Sequence, residues 1–347
     1  MKILIFIDHM ESGGAARVTS ILCRGLAQKG HEIVLAYDSN RPMAYACGEM
    51  TRTVNTHVDR YGKSHVAGIV RIGRKIRRYR TVIRETQPDI ILGVEPEPYL
   101  QALLASIGSG IPVVAVDHTS YRRKQHWFTD WIRWHAYRWA DKVSIVSHTD
   151  EKILGNRLPN KTVIYNPLSF DICRTETRRE KMILCVGRKD AWNIKGFDRM
   201  MKIWDSIRSQ YPEWELVFAG IEEKEPAPQV RFLGQVSDMK SLYQKTAIFV
   251  MPSRIEGFPM SLLEAASQGC ACLCYALGGV TEEILTNDQS GFIVPDNDEV
   301  SFTERLSVLI ENEEERKRLS LTAREQIQCI SEERFIQTWE QLCHQLK

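Results

Sequence analysis

Apolar positions in this chain fall into short runs, separated by longer stretches in which they recur every three or four residues. The first run, Ile3-Leu-Ile-Phe-Ile7, predicts a buried strand. A Gly13-Gly14 turn leads into a helical stretch, Ala15–Lys29, which Gly30 terminates, and Glu32–Tyr37 reads as the next strand. Further β-branched runs follow at Asp89–Val94, Pro112–Val116, Val143–Ser147 and Thr162–Tyr165. After a polar, charged stretch from Asp171 to Lys181 the rhythm restarts. Met182–Val186 is a strand, Lys195–Ser209 a helix, and strands follow at Glu215–Ala219, Ala247–Met251 and Ala271–Tyr275.

This alternation implies an α/β chain with two doubly wound parallel sheets covered by helices. The break near 168–181 sets the expected organisation: residues 1–168, residues 169–330, and a last helix within 331–347 that crosses back to the first domain. Two such halves would face a cleft, with ligands at the carboxyl ends of the strands.

Length and composition agree with this picture: 347 residues suit two domains, and 43% hydrophobic content supports sizeable cores. The net charge of +2 argues against a nucleic-acid partner. Its distribution is more informative, because residues 1–180 carry 27 Lys+Arg against 18 Asp+Glu, or +9, which leaves −7 for the remainder. The basic half is expected to face something anionic. Nine cysteines include no Cys-x-x-Cys pair and suit a reducing cytoplasm. Cys270, Cys272 and Cys274 alternate along an apolar run, where free thiols pack as small hydrophobes. No secretory signal or membrane span is visible, since the first apolar run stops at Asp8.

The candidate chemistry is concentrated after Met251. A buried strand ends there, a tight loop carries Gly257 and Pro259, and a helix starts near Met260. Backbone amides in such a first turn lack intrahelical acceptors and attract an anion. Glu256 lies in the loop, and Glu264 lies about one turn into the helix. Taken alone, this Glu-x7-Glu spacing is more often that of two solvated glutamates.

Upstream, Arg188 follows a strand and Lys195 opens the next helix; together a forked guanidinium and an ammonium can neutralise a diphosphate. Each alone reads as a surface cation. Gly13 and Gly14 would let a phosphate or sugar approach backbone nitrogen, although a tight turn explains them equally. His118 follows the strand Pro112–Val116, at the end where such sheets place function. Asp296-Asn-Asp298 has the look of a metal-binding Asp-x-Asp, but it precedes a helical run, so Asp298 is expected to be an N-cap.

In order and spacing these pieces resemble the retaining glycosyltransferases of family 4, the group 1 glycosyltransferases of GT-B fold. The resemblance covers nearly the whole chain. It also includes Asn166-Pro167, Gly278-Gly279-Val280-Thr281-Glu282 and Ser290-Gly291-Phe292.

The resemblance implies that Arg188 and Lys195 grip the donor diphosphate and that Glu264 holds the ribose hydroxyls. Phe258, Pro259, Met260 and Ser261 would offer backbone contacts to phosphate and sugar, and Gly13 and Gly14 a further donor contact. Glu256 would touch the donor sugar, and His118 would support sugar or acceptor near the anomeric carbon. It further implies transfer of a hexose or N-acetylhexosamine from a nucleotide-diphosphate sugar, UDP by family frequency, to a glycan or polyprenyl-diphosphate-linked acceptor in surface polysaccharide assembly. Neither cofactor nor divalent metal is expected. A nucleotide-sugar epimerase, a phosphorylase and a non-catalytic nucleotide-sugar-binding subunit are the alternatives. Two positions depart from the family pattern: Cys270 and Thr281 stand where proline is usual.

The basic half suggests a membrane partner. Arg71, Arg74, Lys75, Arg77, Arg78, Arg80 and Arg84 crowd one helical stretch. Its apolar stripe of Ile69, Ile72, Ile76, Tyr79 and Ile83 should pack inward, with the cations outward. Tyr121-Arg-Arg-Lys124 precedes Trp127, Phe128, Trp131, Trp134 and Trp139, a mixture that suits an anionic lipid surface at the cytoplasmic membrane face. A solvated basic face over core aromatics is the competing reading.

Overall fold

A computed structural model describes the chain apart from Ser12, Asn40 and residues 58–64, 176–177 and 223–226. The side chains of residues 65–69, Ile69 of the stripe among them, also lie outside the described set. The chain divides into two compact units, Met1–Pro167 with Glu332–Lys347, and Leu168–Ser331.

In the first unit β1 (Lys2–Ile7) runs through α1 (Gly14–Gln28) to β2 (Glu32–Tyr37) and the edge strand β3 (Thr51–Asn55). Then follow α2 (His65–Thr86), β4 (Ile90–Val94), α3 (Pro96–Ser106), β5 (Val113–Val116), α4 (Trp127–Trp134), β6 (Lys142–Ile145), α5 (His148–Leu154) and β7 (Lys161–Val163). All seven strands are parallel, in the order β3-β2-β1-β4-β5-β6-β7. The order reverses between β1 and β4, and an open α/β sheet presents its ligand crevice at the carboxyl ends beside such a reversal.

The central strands are buried on both faces, which is why they read as continuous apolar runs rather than as alternation. Tyr79 of α2 stacks on Phe6 with ring centroids 3.8 Å apart, so the apolar stripe does pack on the sheet. One cation of that helix departs from expectation. Lys75 points inward, 7% exposed, and pairs with Asp8 and with Asp38 at 3.4 Å. Those carboxylates follow β1 and β2, and they draw the ammonium to the sheet end.

The second unit repeats the plan. β8 (Glu180–Val186), α6 (Phe197–Ile207), β9 (Glu215–Ala219), β10 (Val230–Phe232), α7 (Met239–Lys245), β11 (Thr246–Met251), α8 (Met260–Ser267), β12 (Ala271–Tyr275) and β13 (Phe292–Val294) lead to α9 (Glu299–Glu311) and α10 (Glu313–Gln326). Its six parallel strands are ordered β10-β9-β8-β11-β12-β13, with the reversal between β8 and β11. The last helix, α11 (Glu332–Leu346), belongs to the first unit. It lies close against α1: a Cβ on Gly25 would come within 2.3 Å of Ile336 Cδ1, so glycine permits the approach.

Among the described residues, no helix is long and apolar enough to cross a membrane. Cys270, Cys272 and Cys274 are buried, and desolvation pushes all three thiols up. Cys270 and Cys272 donate to the carbonyls of Tyr243 and Cys270 at 3.2 and 3.4 Å, as protonated core thiols do.

Candidate active site

In the second unit two loops meet at the β8/β11 reversal. The loop after β8 carries Lys195, and the loop after β11 carries Ser253, Arg254 and Glu256. Lys195 Nζ donates to Glu256 Oε1 at 2.8 Å, and Ser253 Oγ donates to the same oxygen at 2.6 Å. Both ionic side chains are mostly shielded, at 24% and 12% exposure.

The backbones explain how residues so distant in sequence come together. Gly196 has φ +68°, and a Cβ there would lie 1.8 Å from the Pro252 carbonyl oxygen. Arg254 N–H donates to the Ile194 carbonyl at 2.8 Å. The Arg254 guanidinium reaches the Asn193 carbonyl and clasps Asp198 with two bonds of 2.7 Å. Arg254 holds the Asp198 carboxyl below its ordinary range, chiefly by hydrogen bonding. Arg254 and Asp198 are not legible as site residues in the sequence, because their pairing has no local signature.

Lys195 does not open the helix as expected. Gly196 is the cap and α6 begins at Phe197, so the lysine stands in the loop and faces Glu256. Arg188 is not drawn into this cluster; its guanidinium meets Asp190 at 3.2 Å, with both side chains largely exposed.

Helix α8 starts at Met260 without a side-chain cap. Leu262 and Leu263 N–H turn back to the Pro259 carbonyl at 3.1 and 3.2 Å. This leaves the amides of Met260 and Ser261 as the donors of the first turn. Phe258 is buried just before the turn. Pro259 has no N–H, so it cannot be one of the backbone donors; its contribution is to fix the entry to the helix. Glu264 is only 4% exposed and accepts from Tyr243 Oη at 3.1 Å, which makes it an oriented carboxylate rather than a solvated one.

Both departures from the family pattern have local uses. Cys270 N–H donates to the Ala265 carbonyl at 3.0 Å and Gly269 N–H to Ala266, closing α8 with a bond that proline could not make. The buried Thr281 accepts from Leu277 N–H at 3.3 Å. The Asp-x-Asp segment is committed elsewhere: Asp298 caps α9 through Ser301 N–H at 3.0 Å, and Asp296 pairs with Arg199 at 2.8 Å.

In the first unit, Gly13 has φ 111° and ψ 171°, a backbone state that excludes side chains, and Gly14 opens α1 with open space where a Cβ would stand. His118 follows β5. Its Nδ1 lies 3.1 Å from Asn166 Oδ1, so Nδ1 is the donor and Nε2 carries the lone pair. Burial lowers the His118 pKa and favours the neutral ring. With Thr19, Val116, Asn166, Phe335 and Trp339 it lines a small cavity.

The loop that carries His118 is anchored from below. Arg133, 1% exposed, donates to Asp117 Oδ2 at 2.7 Å and to the carbonyls of Thr119 and Ser120, and lies 3.7 Å from the Tyr121 ring centroid. Glu95, at the end of β4 with φ 71°, accepts from the backbone of His118 and the hydroxyl of Thr119. Desolvation, and then the Asp117 charge, push its carboxyl up to about 8. Glu95 also escaped the sequence reading, although a glutamate between a buried strand and Pro96 was a usable signal.

The basic segments present a mixed surface. Trp127, Trp131 and Trp139 are 72%, 40% and 58% exposed, and Arg122, Arg123 and Lys124 are exposed beside them. These three tryptophans are therefore not core aromatics.

Family comparisons match both units. The model described as Glycosyltransferase Family 4 covers residues 12–171, and that described as Glycosyl transferases group 1 covers residues 174–326. A Campylobacter jejuni protein is 21% identical over 100% of this chain and 99% of its own length. It is named GalNAc-alpha-(1->4)-GalNAc-alpha-(1->3)-diNAcBac-PP-undecaprenol alpha-1,4-N-acetyl-D-galactosaminyltransferase. Sucrose-phosphate synthase from Thermosynechococcus elongatus superposes with TM-score 0.83 at 16% identity, covering 99% of this chain and 98% of that one. Anabaena Alr3699/HepE in complex with UDP-glucose does so with TM-score 0.76 at 15% identity, covering 99% and 100%. The fold is GT-B, and the chain belongs to the group 1 glycosyltransferases of glycosyltransferase family 4.

Proposed function

We propose that this glycosyltransferase moves a hexose or N-acetylhexosamine from a UDP-sugar to a glycan or polyprenyl-diphosphate-linked acceptor, with retention at the anomeric carbon. The observation that carries this reading is the Ser253–Lys195–Glu256 cluster beside the first turn of α8. The Campylobacter relative named for a PP-undecaprenol glycan supports the acceptor class and a place in surface polysaccharide assembly. The UDP-glucose complex of the Anabaena protein supports the donor.

In this mechanism Lys195 and the Met260 and Ser261 amides stabilise the departing diphosphate, where charge develops. Both contacts to Glu256 fall on Oε1, so Oε2 is the oxygen offered to the donor sugar. Glu264 takes the ribose, and Arg188 leaves Asp190 for the diphosphate. Gly13 and Gly14 contribute backbone contact to the donor. His118 offers its Nε2 lone pair to a hydroxyl of sugar or acceptor. A donor phosphate oxygen receives the acceptor proton in front-face attack, so catalysis rests on position and electrostatics. No divalent metal takes part in the transfer, since the cations and amides supply the compensating charge.

Incubation with UDP-sugars and a polyprenyl-diphosphate glycan should give product whose new bond keeps the donor configuration by NMR. Lys195→Ala and Glu256→Gln should each slow its formation by ~10²-fold or more while the protein stays folded. Conversion of the donor without acceptor, or an inverted linkage, would overturn the reading. Full activity in excess chelator is expected.

The exposed tryptophans and their basic neighbours further support peripheral attachment to an anionic membrane through Arg71–Arg84 and Tyr121–Trp139. Vesicles rich in anionic lipid should co-sediment the protein at low salt and release it at high salt. No sedimentation at low salt would sink this attachment.

A further inference from the structure

The first unit holds a cluster of metal-ligand side chains that the transfer does not use. His31, buried at the entry to β2, faces Glu340 and His344, which stand four residues apart on α11. His31 Nε2 lies 3.1 Å from Glu340 Oε1. The His31 and His344 rings meet edge-on with centroids 5.9 Å apart. One ligand atom from each of the three residues lies within 4.8 Å of the others.

Ligands at roughly 2.0–2.1 Å from a tetrahedral zinc ion are about 3.4 Å apart, so small side-chain rotations would close the set on one ion. Residues four apart on a helix share a face, which presents the Glu340 carboxylate and the His344 imidazole together. Two imidazoles and one carboxylate favour a zinc-like ion over calcium or magnesium, whose ligands are oxygen.

We propose that His31, Glu340 and His344 bind a divalent zinc-type ion that fastens α11 to the start of β2, with water as the fourth ligand. The Met1 α-amine lies 3.3 Å from His31 Nδ1. As an ammonium it donates to Nδ1, and the ring proton then sits on Nε2 toward Glu340.

Calorimetric titration of the full chain with zinc should show one site, and zinc should raise the melting temperature. Because His31 is buried and its loss endangers folding, the variants to use are Glu340→Gln and His344→Ala. Each should weaken zinc at least tenfold and cancel the rise in melting temperature, while His148→Ala leaves both unchanged. Cobalt(II) should give the intense visible bands of a four-coordinate site in the wild type and not in His344→Ala. Equal zinc affinity in wild type and His344→Ala, or only the weak spectrum of aqueous cobalt, would overturn the site. This outcome is separable from the reaction: chelator should lower the melting temperature without lowering the initial transfer rate well below it.

Discussion

The two units hold their chemistry-bearing loops by different means. In the first, Arg133 and Asp117 are paired at 1% and 0% exposure beneath His118. In the second, Lys195–Glu256 and Arg254–Asp198 stand between 12% and 37% exposed. A buried pair is costly to break and unable to exchange partners, so it fixes a loop permanently. A partly exposed pair opens at less cost than a buried one, and Lys195 can release Glu256 when a diphosphate arrives. The first arrangement suits a positioned histidine, and the second suits a site that must bind and discharge a charged donor.

The sharpest way to break this comparison is Arg133→Ala. It strands the Asp117 carboxylate, and we expect a loss of about 3–5 kcal/mol in denaturant unfolding. A variant that unfolds with the wild type would show that the loop has other anchors.

The next effect concerns pH. The Glu95 carboxyl is raised from its ordinary 4.5 to about 8, so its contribution to stability is full below 4.5 and is lost as pH rises through about 8. Asp198 is shifted the other way by Arg254, so its contribution persists at neutral pH and disappears only in acid, as pH falls through its lowered value. Melting temperature should therefore stop falling between about pH 4.5 and 8 in Glu95→Gln, and should lose part of its fall in acid, below about pH 4, in Asp198→Asn.

Third, Lys195→Ala should cost ~10²–10³-fold in kcat/KM, the scale of losing one charge-stabilising group, with little change in melting temperature. A large loss of stability instead would mean that the cluster is structural. The smallest effect belongs to Arg254→Ala: a pair this exposed is worth under about 1 kcal/mol. A modest rise in donor KM that high salt reproduces in the wild type would fit.

Most of the fold was legible because the parallel strands are buried on both faces and leave uninterrupted apolar runs, as at Ile3–Ile7 and Ala271–Tyr275. The strands that escaped were β3, an edge strand whose Thr51-Arg-Thr-Val-Asn55 is largely polar, and the three-residue β10 and β13. The candidate site was legible as a set of residues but not as a set of contacts. Glu256 and Lys195 are 61 positions apart, and the close passage of Gly196 past Pro252 joins their loops together with the Arg254–Ile194 backbone bond. Lys75 was misplaced for the same reason: its helix spacing is local, while the aspartates that draw it inward follow other strands. The orientation of Trp127, Trp131 and Trp139 could not be read either, because an amphipathic ring suits both core and interface.

The return of α11 also bears on how the molecule is made. Glu332–Lys347 complete the first unit, whereas the second is continuous from Leu168 to Ser331. On the ribosome the first unit therefore emerges earliest yet is finished last, and the α1 surface around Gly25 stays bare until Ile336 arrives. The second unit has its whole sequence available sooner. A stop codon just after Ser331 would thus damage the half of the protein that was synthesised first, and leave the later half able to fold.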